Sequence, residues 1–107
     1  MTLDVRADHL AMVQSILGKR IPNQEVWAFG SRVTGGANAV SDLDLVIISD
    51  EALSFETLAA LRDDFSESNI PYKVDVLDWA MTDPSFQTII RQQHLVLQKS
   101  HEGKTSD

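Results

Sequence analysis

The sequence predicts a small α/β (α+β) domain, a mixed sheet of about three to four strands flanked by helices. Three observations predict it. Short apolar runs with two-residue alternation recur at 25–29, 42–48 and 73–77. Between them lie stretches whose apolar residues recur at helical spacing, at 7–19, 54–68 and from 84 onward. The chain has 107 residues and a hydrophobic fraction of 43%, enough for one compact core.

Each element has a local reason. In the first helix Leu10, Val13, Ile16 and Leu17 share a face, with Asp8 as its expected cap and Gly18-Lys19-Arg20 at its end. Pro22-Asn23 breaks the chain before the strand 25–29. Residues 30–41 form a loop of small residues, with a helical turn expected after Ser31. In the strand 42–48, Leu43, Leu45 and Ile47 share one face, and Asp42, Asp44 and Val46 the other. Ser54 is placed to cap the next helix, with Glu56 suited to its dipole. That helix turns Leu58, Leu61 and Phe65 inward. In the strand 73–77, Val74 and Val76 oppose Lys73, Asp75 and Leu77. Asp83-Pro84 opens the last helix, with Phe86, Ile89, Ile90 and Gln93 on one side, and Leu95-Val96-Leu97 is a short apolar piece. One domain over 1–98 with a flexible polar tail over 99–107 is expected.

Composition narrows the function classes. Sixteen acidic residues against nine basic ones give a net charge of -7. The cations are scattered, so no basic patch for a polynucleotide backbone is expected and direct nucleic-acid binding is not. The absence of cysteine excludes disulfides, thiolate metal sites and thiol nucleophiles. No apolar run approaches the roughly 20 residues that cross a bilayer, and the first residues lack signal-peptide character, so a cytoplasmic protein is expected. There is neither a G-x-G-x-x-G after a strand nor a G-x-x-x-x-G-K-[ST].

The chemistry concentrates between Phe29 and Ile48. Gly30-Ser31 opens a loop whose backbone N–H groups can approach a phosphate closely. Asp42 and Asp44, two apart on a strand, point to one side of the sheet. Together they read as a phosphate cradle beside a divalent-metal site. Nucleotidyl transfer needs in-line attack on an α-phosphorus, and two divalent ions about 3.5–4 Å apart can clamp the attacking and leaving oxygens. Magnesium takes carboxylate oxygens, phosphates and water. Asp75, mid-strand among apolar residues, is the best third carboxylate. Asp78 is its rival, but lies at the strand end and on the opposite face.

Gly30-Ser31, ten residues, then Asp42-x-Asp44 resembles the signature of the DNA-polymerase-β-like nucleotidyltransferase superfamily. The fuller string, with Arg32, Gly35, Ala37, Ser41 and Leu45, resembles its smallest branch, the minimal nucleotidyltransferase (MNT) domains. The resemblance spans nearly the whole chain. It implies a polymerase-β-like fold with Asp42, Asp44 and Asp75 as metal-binding catalytic acids. It also implies Mg2+, two ions, with ATP as substrate. Gly30 and Ser31 would hold the triphosphate, and Arg32 would add charge to it or pair with a carboxylate. In that family the usual partner is a HEPN-domain ribonuclease toxin, and the MNT protein is the antitoxin that transfers AMP to a toxin tyrosine. The HEPN signature Arg-x4–6-His is absent here, since Arg91 and His94 are three apart. The chain therefore resembles the antitoxin half of a hetero-oligomer. Two other readings stay open: an antitoxin that neutralises by binding alone, and a small-molecule transferase of the antibiotic-modifying type completed by a partner subunit.

The other conspicuous residues read as structural. His9, His94 and His101 are unclustered, at surface or cap positions, and Trp27 and Tyr72 read as packing residues. Trp79 is open between core and contact surface. Gly35-Gly36 reads as turn chemistry.

Overall fold

The computed structural model describes residues 2–100. His101 and most of the expected tail lie outside the described residues. In chain order the elements are α1 (Ala7–Arg20), β1 (Glu25–Phe29), α2 (Ser31–Thr34), β2 (Leu43–Ile48), α3 (Phe55–Ser66), β3 (Val74–Asp78), a 3-10 turn (Trp79–Met81), α4 (Pro84–Gln92) and β4 (Leu95–Gln98). The strands form one mixed sheet in the order β3-β2-β1-β4. β1 runs antiparallel to both β2 and β4, while β2 and β3 are parallel and joined by the α3 crossover.

The helix starts follow local chemistry. Ser54 caps α3 by accepting from Thr57 N–H at 3.1 Å, and Asp83 caps α4 by accepting from Ser85 N–H at 3.2 Å. Pro84 occupies the first turn of α4, where its missing N–H is harmless. The start of α1 differs from expectation. Arg6, not Asp8, stands at the cap position; Asp8 falls in the first turn and pairs with Arg6 at 3.0 Å. The helix ends at Arg20, with Gly18-Lys19-Arg20 in its last turn as expected.

Alternation on the strands sorts the side chains into two layers. Leu43, Leu45 and Ile47 of β2, with Val26, Ala28, Val74 and Val76, form the main core against Val13 and Leu17 of α1 and Leu61 and Phe65 of α3. The opposite face carries a smaller cluster of Phe29, Val46 and Ile90, with Trp27, Leu77 and Trp79 packed around it. Ile90 is the one buried residue of α4, and Ile89 is 60% exposed. The short apolar piece at 95–98 is the fourth strand, paired on the free side of β1, a partner that local pattern alone did not assign. Gln98 secures that end by donating to the carbonyls of Ile21 and Gln24, both at 2.8 Å.

Candidate active site

The site lies on the less covered face, where three strands meet in register. Asp75 of β3 pairs with Asp44 of β2, and Asp44 pairs with Phe29 of β1. Residues in register on neighbouring strands project to the same face, so the two carboxylates stand side by side. Asp42 lies just before β2 and is exposed, one alternation step from Asp44. Its absence from the ladder shortens the expected strand by one residue.

Gly30 follows Phe29 and turns the chain into α2. Its φ of 82° falls where only glycine is comfortable, and a Cβ there would collide with Asp44 Oδ2. The Asp44 carboxylate therefore lies directly against the start of the loop. Ser31 is half-buried at the first position of α2, and its hydroxyl has no hydrogen-bond partner among the described residues.

Electrostatics confirm the crowding. Burial pushes the Asp44 carboxyl up to about 6, the charges of Asp75 and Asp42 push the same way, and Lys73 opposes them. None of the carboxylates of Asp42, Asp44 and Asp75 has a hydrogen bond or ion pair among the described residues. Three like charges left unpaired on one face form a donor set suited to a hard divalent cation. No three side chains of the described residues close into a ready-made metal cage. In general magnesium needs only one or two carboxylates, with substrate phosphates and water completing its shell.

Arg32 is placed differently from expectation. It is 5% exposed and forms no ion pair with a carboxylate among the described residues. Its guanidinium donates to the carbonyls of Ser41 at 2.9 Å, Asp4 at 2.8 Å and Ala39 at 3.2 Å, and stacks over the Tyr72 ring at 3.8 Å. It therefore clasps the loop that carries Asp42 rather than offering charge to a phosphate. Asn38 and Ser41 tie the same loop internally, through Ser41 Oγ to Asn38 N–H at 2.9 Å.

Asp78 has a structural task. Buried at the end of β3, it accepts from Leu53 N–H at 2.7 Å and from Ala80 N–H at 3.2 Å, fixing the entry to α3. Trp27 stacks on His94 at 3.8 Å and meets Trp79 edge-on at 5.4 Å, so both tryptophans pack within the second layer. His94 Nδ1 lies 3.1 Å from the Ile90 carbonyl at the end of α4, a cap position as expected. Lys73 was given no role from sequence; its shared face with Asp75 was the available signal.

Residues 12–102 match the family described as polymerase beta, nucleotidyltransferase. The chain belongs to the polymerase-β nucleotidyltransferase family. This nucleotidyltransferase is 48% identical over 100 residues to the probable protein adenylyltransferase MntA of Haemophilus influenzae, covering 94% of this chain and 88% of the relative. Its fold matches a crystallised toxin–antitoxin complex with AMP-PNP at a TM-score of 0.72 and 19% identity, over 88% of this chain and 76% of that one. It also matches a mutant MntA-HpeT toxin–antitoxin complex at a TM-score of 0.69 and 18% identity, over 92% and 76%. The four-stranded mixed sheet is thus the sheet of the polymerase-β family. Among the described residues no helix is long and apolar enough to cross a membrane.

Proposed function

We propose that this nucleotidyltransferase is an antitoxin that transfers AMP from ATP to a tyrosine of a HEPN-domain ribonuclease toxin. One observation carries the reading: Gly30 pressed against Asp44, with Asp75 in register beside it. The start of the glycine-serine loop and three carboxylates without a partner among the described residues lie on one strip of the sheet, which supports a nucleotide site there. The adenylyltransferase name of the 48% identical relative and the toxin–antitoxin complexes of the fold neighbours support the nucleotide and the kind of partner.

Gly30 and Ser31 receive the triphosphate through backbone N–H groups and the free Ser31 hydroxyl. Asp42, Asp44 and Asp75 would hold magnesium, which would supply neutralisation of phosphate charge and polarisation of the phosphoryl oxygens. The acceptor's phenolic oxygen bonds to the α-phosphorus as the bond to the bridging oxygen breaks. Pyrophosphate leaves with that electron pair, on the Gly30–Ser31 side. The phenolic proton passes to Asp75, on the opposite flank. Arg32 positions the loop.

Co-expression with a HEPN-domain toxin as partner, followed by intact-mass measurement, tests the reading. The expected result is an AMP-sized increase on the partner that disappears in the Asp42→Ala, Asp44→Ala double variant. No increase, or one that survives in that variant, overturns it. The net charge of -7 favours a second reading, neutralisation by contact with a basic RNA-binding cleft. Full neutralisation by the same double variant would select that one.

A further inference from the structure

The acids are arranged across the sheet, and the arrangement has a direction. From Gly30 the row runs through Asp44 to Asp75, and β3 is the last strand of the sheet. Beyond Asp75 lies a groove of about 490 Å³ whose lining includes Arg62, Phe65, Ile70, Lys73 and Val74.

The backbone along this edge is open. Lys73 C=O accepts from Leu43 N–H at 2.9 Å, so the polar groups of residues 73, 75 and 77 face β2. By alternation those of Val74 and Val76 face outward into the groove. Arg62 donates to the Val76 carbonyl at 2.9 Å. The N–H and C=O of Val74 have no partner among the described residues, and they are the pair that exchanges two hydrogen bonds with one residue of an incoming strand. The groove is also cationic in an acidic protein. Arg6 and Arg20 pair with Asp8 and Asp64, and Arg32 is buried on carbonyls, whereas Arg62 and Lys73 hold no carboxylate in an ion pair among the described residues.

We propose that an extended, acidic segment of the protein acceptor docks along the open edge of β3, between Lys73 and Arg62, and so delivers its hydroxyl to Asp75. This rests on the protein-acceptor reading above. Main-chain bonds to Val74 set the depth of the segment, the apolar floor at Phe65 and Ile70 takes one side chain, and the two cations select acidic neighbours. A hydroxyl entering here lies across Asp44 from Gly30–Ser31, the geometry that in-line displacement requires.

Amide hydrogen exchange on the full chain, free and in complex with the HEPN partner, tests the docking without requiring catalysis. The Val74 and Val76 amides should exchange at least tenfold more slowly in the complex, and equally so with Asp44→Asn. A stable complex with unchanged exchange there overturns the proposal, whatever its activity. The Arg62→Glu variant should raise the KM for the partner at least tenfold with the KM for ATP unchanged, and an unchanged KM for the partner also overturns the proposal. Slowed exchange without AMP transfer would instead sink the transferase reading and leave the docking site standing.

Discussion

The two faces of the sheet are made from the same strands, one residue out of step. On β2, Leu43, Leu45 and Ile47 are wholly buried under α1 and α3. Between them Asp44 and Val46 face the other way, where α4 lends a single buried residue, Ile90. One face is covered along its length. The other is covered at the Val46 end and open at the Asp44 end. The difference teaches that the fold is secured on one side so that unfavourable chemistry can be tolerated on the other. The three acids repel one another, and the packing opposite holds them together.

Four experiments can break or sharpen that contrast. Asp44→Ala should reduce AMP transfer on the order of 10³-fold, about 4 kcal/mol of barrier, because a metal ligand carries several kcal/mol of transition-state stabilisation. Steady-state rates on the partner protein check it, and a melting temperature no lower than the parent's should accompany the loss. Leu45→Ala, the adjacent residue, should do the reverse. It should cost about 3 kcal/mol in urea unfolding by opening a cavity, while nucleotide binding is retained in the folded protein. A smaller cost than about 1 kcal/mol would break the contrast.

The third experiment is a pH series without divalent ions. Burial and the neighbouring Asp75 and Asp42 push the Asp44 carboxyl up to about 6 in the fold, from an ordinary value of 3.8. The native state therefore binds more protons between those values, and this contribution to stability, present below about 4, is lost as pH rises through about 6. The melting temperature should fall across that window, Asp44→Asn should flatten the fall, and magnesium at neutral pH should restore the loss by binding the folded state. A flat profile in the parent would show that the acids do not strain the fold. The smallest effect is expected from Ile89→Ser on the outer side of α4, within about 0.5 kcal/mol by thermal melting.

Much of this was written in local pattern. The alternation of Leu43 to Ile48 separated the two faces correctly, as did that of residues 73 to 77, whereas the register that sets Asp75 beside Asp44 belongs to the sheet. Ser54 and Asp83 announced their helices, since capping is a matter of a few adjacent residues. What stayed hidden depends on distant partners. The role of Arg32 is set by carbonyls at positions 4, 39 and 41, so from sequence it read as a free cation beside a phosphate loop. The pairing of β4 with β1 joins segments about 70 residues apart. Asp78 was excluded by face, but its bond to Leu53 belongs to a crossover no periodicity encodes.

The Arg32 clasp links more than the loop. Arg32 Nη1 donates to the Asp4 carbonyl, and Asp4 N–H donates back to the Arg32 carbonyl at 2.7 Å. Residues 3–5 and 30–41 are therefore one cooperative unit, which opens and closes together rather than fraying from the chain's first residues inward. A bulky fusion joined close to Asp4 would be felt at the nucleotide loop before it was felt in the core.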